Sequence, residues 1–251
     1  MFLSDRAERP PRVGRSVLAV GAHPGDVEFG CAGTLAAHRA AGDSVTVLVL
    51  TCDGPDSVLS RRAEAAARAL DCLLVWGPQA AERRSGDRRV YVRGTGDRRA
   101  RQPRSDPAWG APGTVAPDGR TVAAIENVLT GVDADVVYVH APEDADAEHR
   151  AAAVATLSAA RHSRRILHYA GESTLRFEPA LFVDVSPYLD RKLAALAEAA
   201  RPVDPELATG TARHFGARAR VRYAEAFTPA RFVWDLATEG ATKRQLSATD
   251  A

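Results

Sequence analysis

Cysteine is scarce in this 251-residue chain: Cys31, Cys52 and Cys72 are the only three. So small and odd a number excludes a disulfide framework. No apolar run approaches the ~18 residues a membrane span needs. The N-terminal MFLSDRAERPPRVGR lacks the apolar stretch of a signal peptide. Neither sign of charge is in excess, since 33 Lys and Arg oppose 32 Asp and Glu for a net charge of +1. A general attraction to nucleic acid or membrane is therefore not expected. Lysine is nearly missing, with only Lys192 and Lys243, and the abundance of arginine and alanine is read as coding bias rather than chemistry. No internal repeat occurs, and no glycine string matches G-x-G-x-x-G or a P-loop, so no nucleotide cofactor is expected. The remainder, 45% hydrophobic and 26% charged, is ordinary for a globular and, by expectation, cytoplasmic protein.

From residue 16 to residue 170, short β-branched runs alternate with alanine-rich stretches. SVLAV (16–20), SVTVLVLT (44–51), LLVW (73–76), DVVYVH (135–140) and ILHYA (166–170) read as buried strands. Helices are expected at 33–41, 61–70, 121–129 and 147–162. This is the pattern of an α/β fold: a Rossmann-like, doubly wound, mostly parallel sheet with helices on both faces. LFVDV (181–185), 187–200, 205–215, YAEAF (223–227) and 230–236 suggest a smaller C-terminal α+β lobe packed on the same sheet. Residues 15–238 then form one domain between flexible ends at 1–14 and 239–251. The pattern breaks at 77–119, which holds nine arginines between Arg83 and Arg104. Such a stretch is a solvated loop or a mobile lid that gathers an anionic substrate.

Ligands of open parallel sheets sit beyond the carboxyl ends of the strands. The first strand runs into Gly21-Ala22-His23-Pro24-Gly25-Asp26-Val27-Glu28, the second into Thr51-Cys52-Asp53-Gly54. The strand ending at Val139 runs into His140 through His149. His23 and Asp26 lie three apart at a strand-to-helix turn, and His149 from the other strand end can complete a triad. Two imidazoles and a carboxylate suit Zn²⁺, or another divalent metal, and leave a fourth position for water.

The string AHPGDVEFGCAGTLA resembles the opening signature of the LmbE/PIG-L family, zinc-dependent de-N-acetylases of N-acetylglucosaminyl conjugates and related metabolites. HAPEDADAEHR (140–150) resembles the family's second motif, and FEPALFVDVSPYLDRKLAAL (177–196) and YAEAF resemble its C-terminal segments. The resemblance implies metal ligands at His23, Asp26 and His149, and a small N-acylated amino sugar or similar polar metabolite as substrate. Residues 77–119 have no recognised counterpart.

Two positions depart from the family pattern. Gly25 stands where the family's general base is an aspartate, and losing a base typically costs about 10²–10⁴-fold in rate. Asp146 stands where an oxyanion-stabilising histidine is implied, and a carboxylate repels a developing oxyanion. Either the chain has kept the metal and lost deacetylation, serving as a binding protein or running another reaction, or the carboxylates have been rearranged. In the second case Asp146 is the favoured proton carrier, with Asp144, Glu148 and Asp53 as weaker substitutes. Replacing Gly25 by aspartate is expected to fit the turn unless its φ is positive. Asp53, His214 and the arginines around Arg83 and Arg104 are the candidates for substrate contact. Cys31 reads as a core residue and His38 as surface, while His140 is either a satisfied core imidazole, the favoured reading, or a residue that supports the site from behind. His162 and His168 have no partner that can be named, and Cys52 has no histidine to activate it. Oligomeric state is left open.

Overall fold

A computed structural model describes residues 14–52, 57–80, 114–199 and 203–234. The strands are β1 (Ser16–Gly21), β2 (Ser44–Cys52), β3 (Leu73–Ala80), β4 (Val136–His140), β5 (Arg165–Tyr169), β6 (Leu181–Asp184) and β7 (Ala224–Phe232). The helices are α1 (Asp26–Ala40), α2 (Val58–Ala69), α3 (Gly119–Val132), α4 (Ala147–Ala159), α5 (Leu189–Glu198) and α6 (Pro205–Ala219). All seven strands form one sheet in the order β3-β2-β1-β4-β5-β7-β6. The first five are parallel, and β7 pairs antiparallel with both β5 and β6.

Strand alternation assigns the two faces of the core. Val17 and Ala19 of β1 pack with Val27 and Leu35 of α1 and Ala63 and Ala67 of α2. Leu18 and Val20 point the other way, into Ile125 and Val128 of α3 and Ala151, Ala152 and Ala155 of α4. Chain order reverses between β1, which continues outward through β2 and β3, and β4, which continues through β5. That reversal opens the crevice in which ligands of such sheets sit.

Several expectations change in detail. The C-terminal region is not set apart as a lobe, because β7 and β6 extend the sheet itself. The two runs read at 223–227 and 230–236 are one strand through Phe232, with a register shift opposite Ile166–Leu167 where Pro229 interrupts the ladder. β3 continues past the expected break, to Ala80. Helix α1 begins seven residues before the expected 33–41, because Gly30 and Gly33 hide its first turns from a propensity reading. Gly30 is required by packing, since a Cβ there would lie 2.2 Å from the Tyr169 ring.

His38 is not a surface residue. Its Nδ1 lies 2.6 Å from Asp43 Oδ2 and its Nε2 2.9 Å from the Tyr138 hydroxyl. Asp43 Oδ1 also accepts the Arg15 N–H at 2.7 Å, which ties the α1–β2 turn to the start of β1. Burial pushes the Asp43 carboxyl up, but the bonds from His38 and Arg15 outweigh it and hold the group below its ordinary value. With the folded pKa depressed, this stability is full above the unfolded pKa and is lost as pH falls through the folded one. Asp43→Asn is therefore expected to cost about 1 kcal/mol near neutral pH, the difference between a charge-assisted and a neutral bond. Urea unfolding over a pH series checks this: the deficit should fade as the medium becomes acid, and a constant deficit would remove the charge from the account.

Candidate metal centre

β1 ends at the switch point, and Ala22-His23-Pro24-Gly25 turns the chain into α1. Thr51 of β2 fastens that turn, donating both its N–H (3.0 Å) and its hydroxyl (2.8 Å) to the Ala22 carbonyl. Gly25 stands before the first residue of α1 with φ 107° and ψ −23°. This left-handed conformation is one that side-chain-bearing residues rarely adopt. The Gly25 N–H donates to Glu28 Oε2 at 3.1 Å, and the His23 N–H donates to Asp26 Oδ2 at 2.7 Å. Burial pushes Glu28 up to about 7, against bonds from its own N–H and that of Gly25 and with the help of the Asp26 charge.

His23, Asp26 and His149 come together as the motif spacing suggested, each offering one ligand atom within 4.8 Å of the others. Asp26 Oδ1 is 3.4 Å from His149 Nε2, and Asp26 Oδ2 is 3.6 Å from His23 Nδ1. His149 Nε2 is buried and has no hydrogen-bond partner among the described residues. Each imidazole is backed by a carboxylate on its far nitrogen. Glu148 Oε2 lies 3.0 Å from His23 Nε2, and Asp144 Oδ1 lies 3.2 Å from His149 Nδ1. Such partners fix ring orientation and raise the basicity of the facing nitrogen.

The loop 141–146 that carries Asp144 is fastened on both sides. Asp144 is 1% exposed and accepts bonds from Ser173 Oγ (2.5 Å), Thr174 Oγ1 (2.9 Å) and the Asp146 N–H (2.9 Å). Arg150 closes the loop by donating to the carbonyls of Asp144 and Ala145. Ser173 also lies 3.2 Å from His149 Nδ1. Nothing in the local sequence points to Ser173 and Thr174, which reach the site only because β5 lies beside β4.

His140 is buried as a core residue would be, and it also supports the site, the less favoured of its two readings. It is fully buried, stacks on His149 with ring centroids 4.0 Å apart, and sets Nε2 3.1 Å from Asp26 Oδ2 and 3.3 Å from the Ala22 nitrogen. Burial holds its pKa below the ordinary histidine value although the Asp26 charge pulls upward. His168, for which the sequence offered no partner, supports it through Nδ1, 2.7 Å from the His140 carbonyl. For Asp26 itself burial acts to raise the pKa. The charge and hydrogen bond of His140, with His149 and His23 close by, outweigh it and hold the carboxyl well below the usual range.

The two carboxylates read as proton carriers are placed differently. Asp146 caps α4, its Oδ1 accepting the Glu148 N–H at 2.7 Å. Burial raises its pKa, but that bond and the nearby His149 and His23 hold it below the ordinary value. Glu148 touches the triad through His23 and accepts the Val115 N–H at 3.1 Å, which brings the chain before α3 to the site. His214 lies on the exposed side of α6 against Phe215, on a helix packed chiefly on β7, α5 and β6. It is not brought to the triad by any described contact. Asp53, Arg83 and Arg104 fall outside the described residues, as does the Cys52 side chain. Cys31 is fully buried, as expected of a core residue.

Comparison with known proteins agrees with this architecture. The deacetylase YaiS of Escherichia coli K12, itself described as uncharacterized, is 29% identical over 191 residues, covering 72% of this chain and 89% of YaiS. The conserved protein TT1542 of Thermus thermophilus has the same fold, with a TM-score of 0.66 at 22% identity over 89% of this chain and 98% of its own. So does GalB, the 4-carboxy-2-hydroxymuconate hydratase of Pseudomonas putida KT2440, with a TM-score of 0.63 at 19% identity over 89% of this chain and all of its own. Residues 18–160, more than half of the chain, match the family described as PIG-L, GlcNAc-PI de-N-acetylase, and the chain belongs to that family.

Proposed function

We propose that this protein is a metal-dependent amide hydrolase that removes an N-acyl group from an amino sugar or a similar small polar metabolite. The observation that carries the reading is the His23–Asp26–His149 cluster at the switch point, with His149 Nε2 buried and without a hydrogen bond. Two neutral imidazoles and one carboxylate are a donor set for Zn²⁺ with a position to spare. When bound, such an ion supplies Lewis-acid activation of water and of an acyl carbonyl oxygen. The family, named for de-N-acetylation of a glucosaminyl lipid, supports an N-acetyl amino sugar as the substrate class.

The chain's own residues have to move the proton. Gly25 has no side chain to do so, and Asp146 is engaged in capping α4 through Oδ1. Glu148 is favoured instead: it contacts His23 and its side chain remains 24% exposed. In this reading Glu148 accepts a proton from the attacking water and returns it to the leaving nitrogen, while Asp144 keeps His149 oriented.

A second reading rests on Gly25. With that position empty of a base and one Glu148 oxygen held by His23 and Val115, the centre serves a metal-dependent reaction other than deacylation, or binding alone. The structural likeness to a hydratase keeps this alternative in view, although at 19% identity it speaks for the fold only.

Three outcomes test the proposal. Elemental analysis should find about one divalent metal per chain, lost in His149→Ala; unchanged metal content in that variant would remove His149 from the ligand set. With N-acetylglucosamine conjugates as substrate and acetate release as readout, Glu148→Gln should lower kcat by about 10²-fold with metal retained. Asp146→Asn, which still caps a helix, should stay within a few-fold of the wild type. The reverse order would restore Asp146 as the carrier, and no turnover by metal-loaded wild type on any such substrate would favour the second reading. Gly25→Asp, expected to fit the turn unless φ is positive, meets φ 107°. Both it and Gly25→Ala should cost about 1–3 kcal/mol in urea unfolding, and equal stability with the wild type would contradict the strain.

A further inference from the structure

Helix α1 is not continuous. Cys31 has φ −149° and ψ 15°, which divides the helix into a first segment carrying Asp26 and Glu28 and a second segment running to Ala40. In an unbroken helix the N–H groups of Gly33 and Thr34 would bond to the carbonyls four residues earlier, at Phe29 and Gly30. Here the Gly33 N–H donates to Glu225 Oε1 at 3.0 Å and the Thr34 N–H to Glu225 Oε2 at 2.6 Å. The Phe29 carbonyl accepts from Lys192 Nζ at 2.5 Å. Lys192 Nζ in turn lies 2.6 Å from Glu225 Oε1, and the two residues are only 4% and 3% exposed.

An ion pair from α5 and β7 has thus entered the opened hydrogen-bond ladder and taken over its groups. The signs match the helix dipoles. The carboxylate faces the amino end of the second segment, and the ammonium faces the carboxyl end of the first. Backbone hydrogen bonds thus compensate both members of the buried pair, which is what such a pair needs in an interior. Gly33 makes room for it, since a Cβ there would lie 2.9 Å from Val185 and 3.2 Å from Glu225 Oε1.

We propose that Lys192 and Glu225 are positioning residues for Asp26, holding α1 bent at Cys31 so that the Asp26 carboxylate meets His23 and His149. The proposal rests on the reading of those three residues as a metal site. Asp26 lies five residues from the bend, a lever of about 7 Å at 1.5 Å per residue. A change of about 20° at the bend, the size of an ordinary kink, would swing the carboxylate by about 2–3 Å. Ligand sets tolerate on the order of 0.5 Å.

The test titrates Co²⁺ into the metal-stripped full-length chain, following affinity and the visible absorption bands that report coordination geometry. Thermal unfolding of the metal-free protein is measured in parallel. Wild type should bind Co²⁺. Glu225→Gln and Lys192→Met should bind ~10–100-fold more weakly, the range seen when partners behind metal ligands are removed, and with altered bands. Ile125→Ala, in the core on the opposite face of the sheet, should lower the melting temperature without changing either readout. Unaltered affinity and bands in both pair variants would overturn the positioning role and leave the metal centre standing. Failure of wild type to bind Co²⁺ would overturn the metal reading, and the positioning role with it. Should Glu225→Gln or Lys192→Met not fold, Glu225→Asp keeps the charge and withdraws it by one methylene. It should show the same weakening to a smaller degree, and wild-type affinity in that variant would count against the proposal.

Discussion

Asp26 is the group on which the rest of the site depends. A carboxylate this deeply buried is strongly disfavoured unless charge and hydrogen bonds surround it. His140, His149, His23 and the His23 N–H supply them here. They come from the end of β1, the end of β4 and the first turn of α4. The crevice between β1 and β4 is the one place in this sheet order where those elements adjoin. Three imidazoles thus converge on one carboxylate. A divalent cation would use the same atoms for the same electrostatic reason. His140 is the member that lies outside the His23–Asp26–His149 triad, and its contact with Asp26 leaves the carboxylate with one direction already fixed.

Around that point the acidic side chains divide into distinct tasks. Asp144 and Glu148 stand behind the two triad imidazoles, and Asp146 caps the helix that carries His149. A cap holds its carboxylate against a backbone N–H, which is a structural use of the charge. The substitution at Gly25 fits this division locally, because the left-handed turn that directs Asp26 inward is one that glycine adopts freely. A base beside the triad and an unstrained turn at this residue are competing demands. Glycine meets the second.

How much of this could be read beforehand depended on whether the signal was local. The parallel sheet was legible because its strands are continuous apolar runs, buried on both faces, and the triad because His23 and Asp26 lie three apart at one strand end and His149 follows another. The first turns of α1 were not, since Gly30 and Gly33 lower helix propensity for packing reasons that only Tyr169 and Val185 reveal. His140, taken alone, resembles any histidine ending a buried strand. Its role appears only when β1 is seen beside β4. His38 was misread for the same reason: Tyr138, its partner, is 100 residues away in sequence. Ser173 and Thr174 carry no motif at all, and they matter through the pairing of β4 with β5.

The same distinction separates the chemistry of this site from its support. The matched family segment ends at residue 160 and contains all three triad residues and the carboxylates behind them. Lys192 and Glu225 lie beyond it, on elements whose own sequence suggests only an amphipathic helix and an alternating strand. Their bonds nevertheless end on the backbone of α1, between the Asp26 turn and the body of that helix. Because β7 pairs with β5 and β6 and α5 packs on α1 and α2, the C-terminal third is fixed to both sides of the bend it holds. The antiparallel end of the sheet is therefore part of what gives the crevice its geometry, although it contributes no member of the triad.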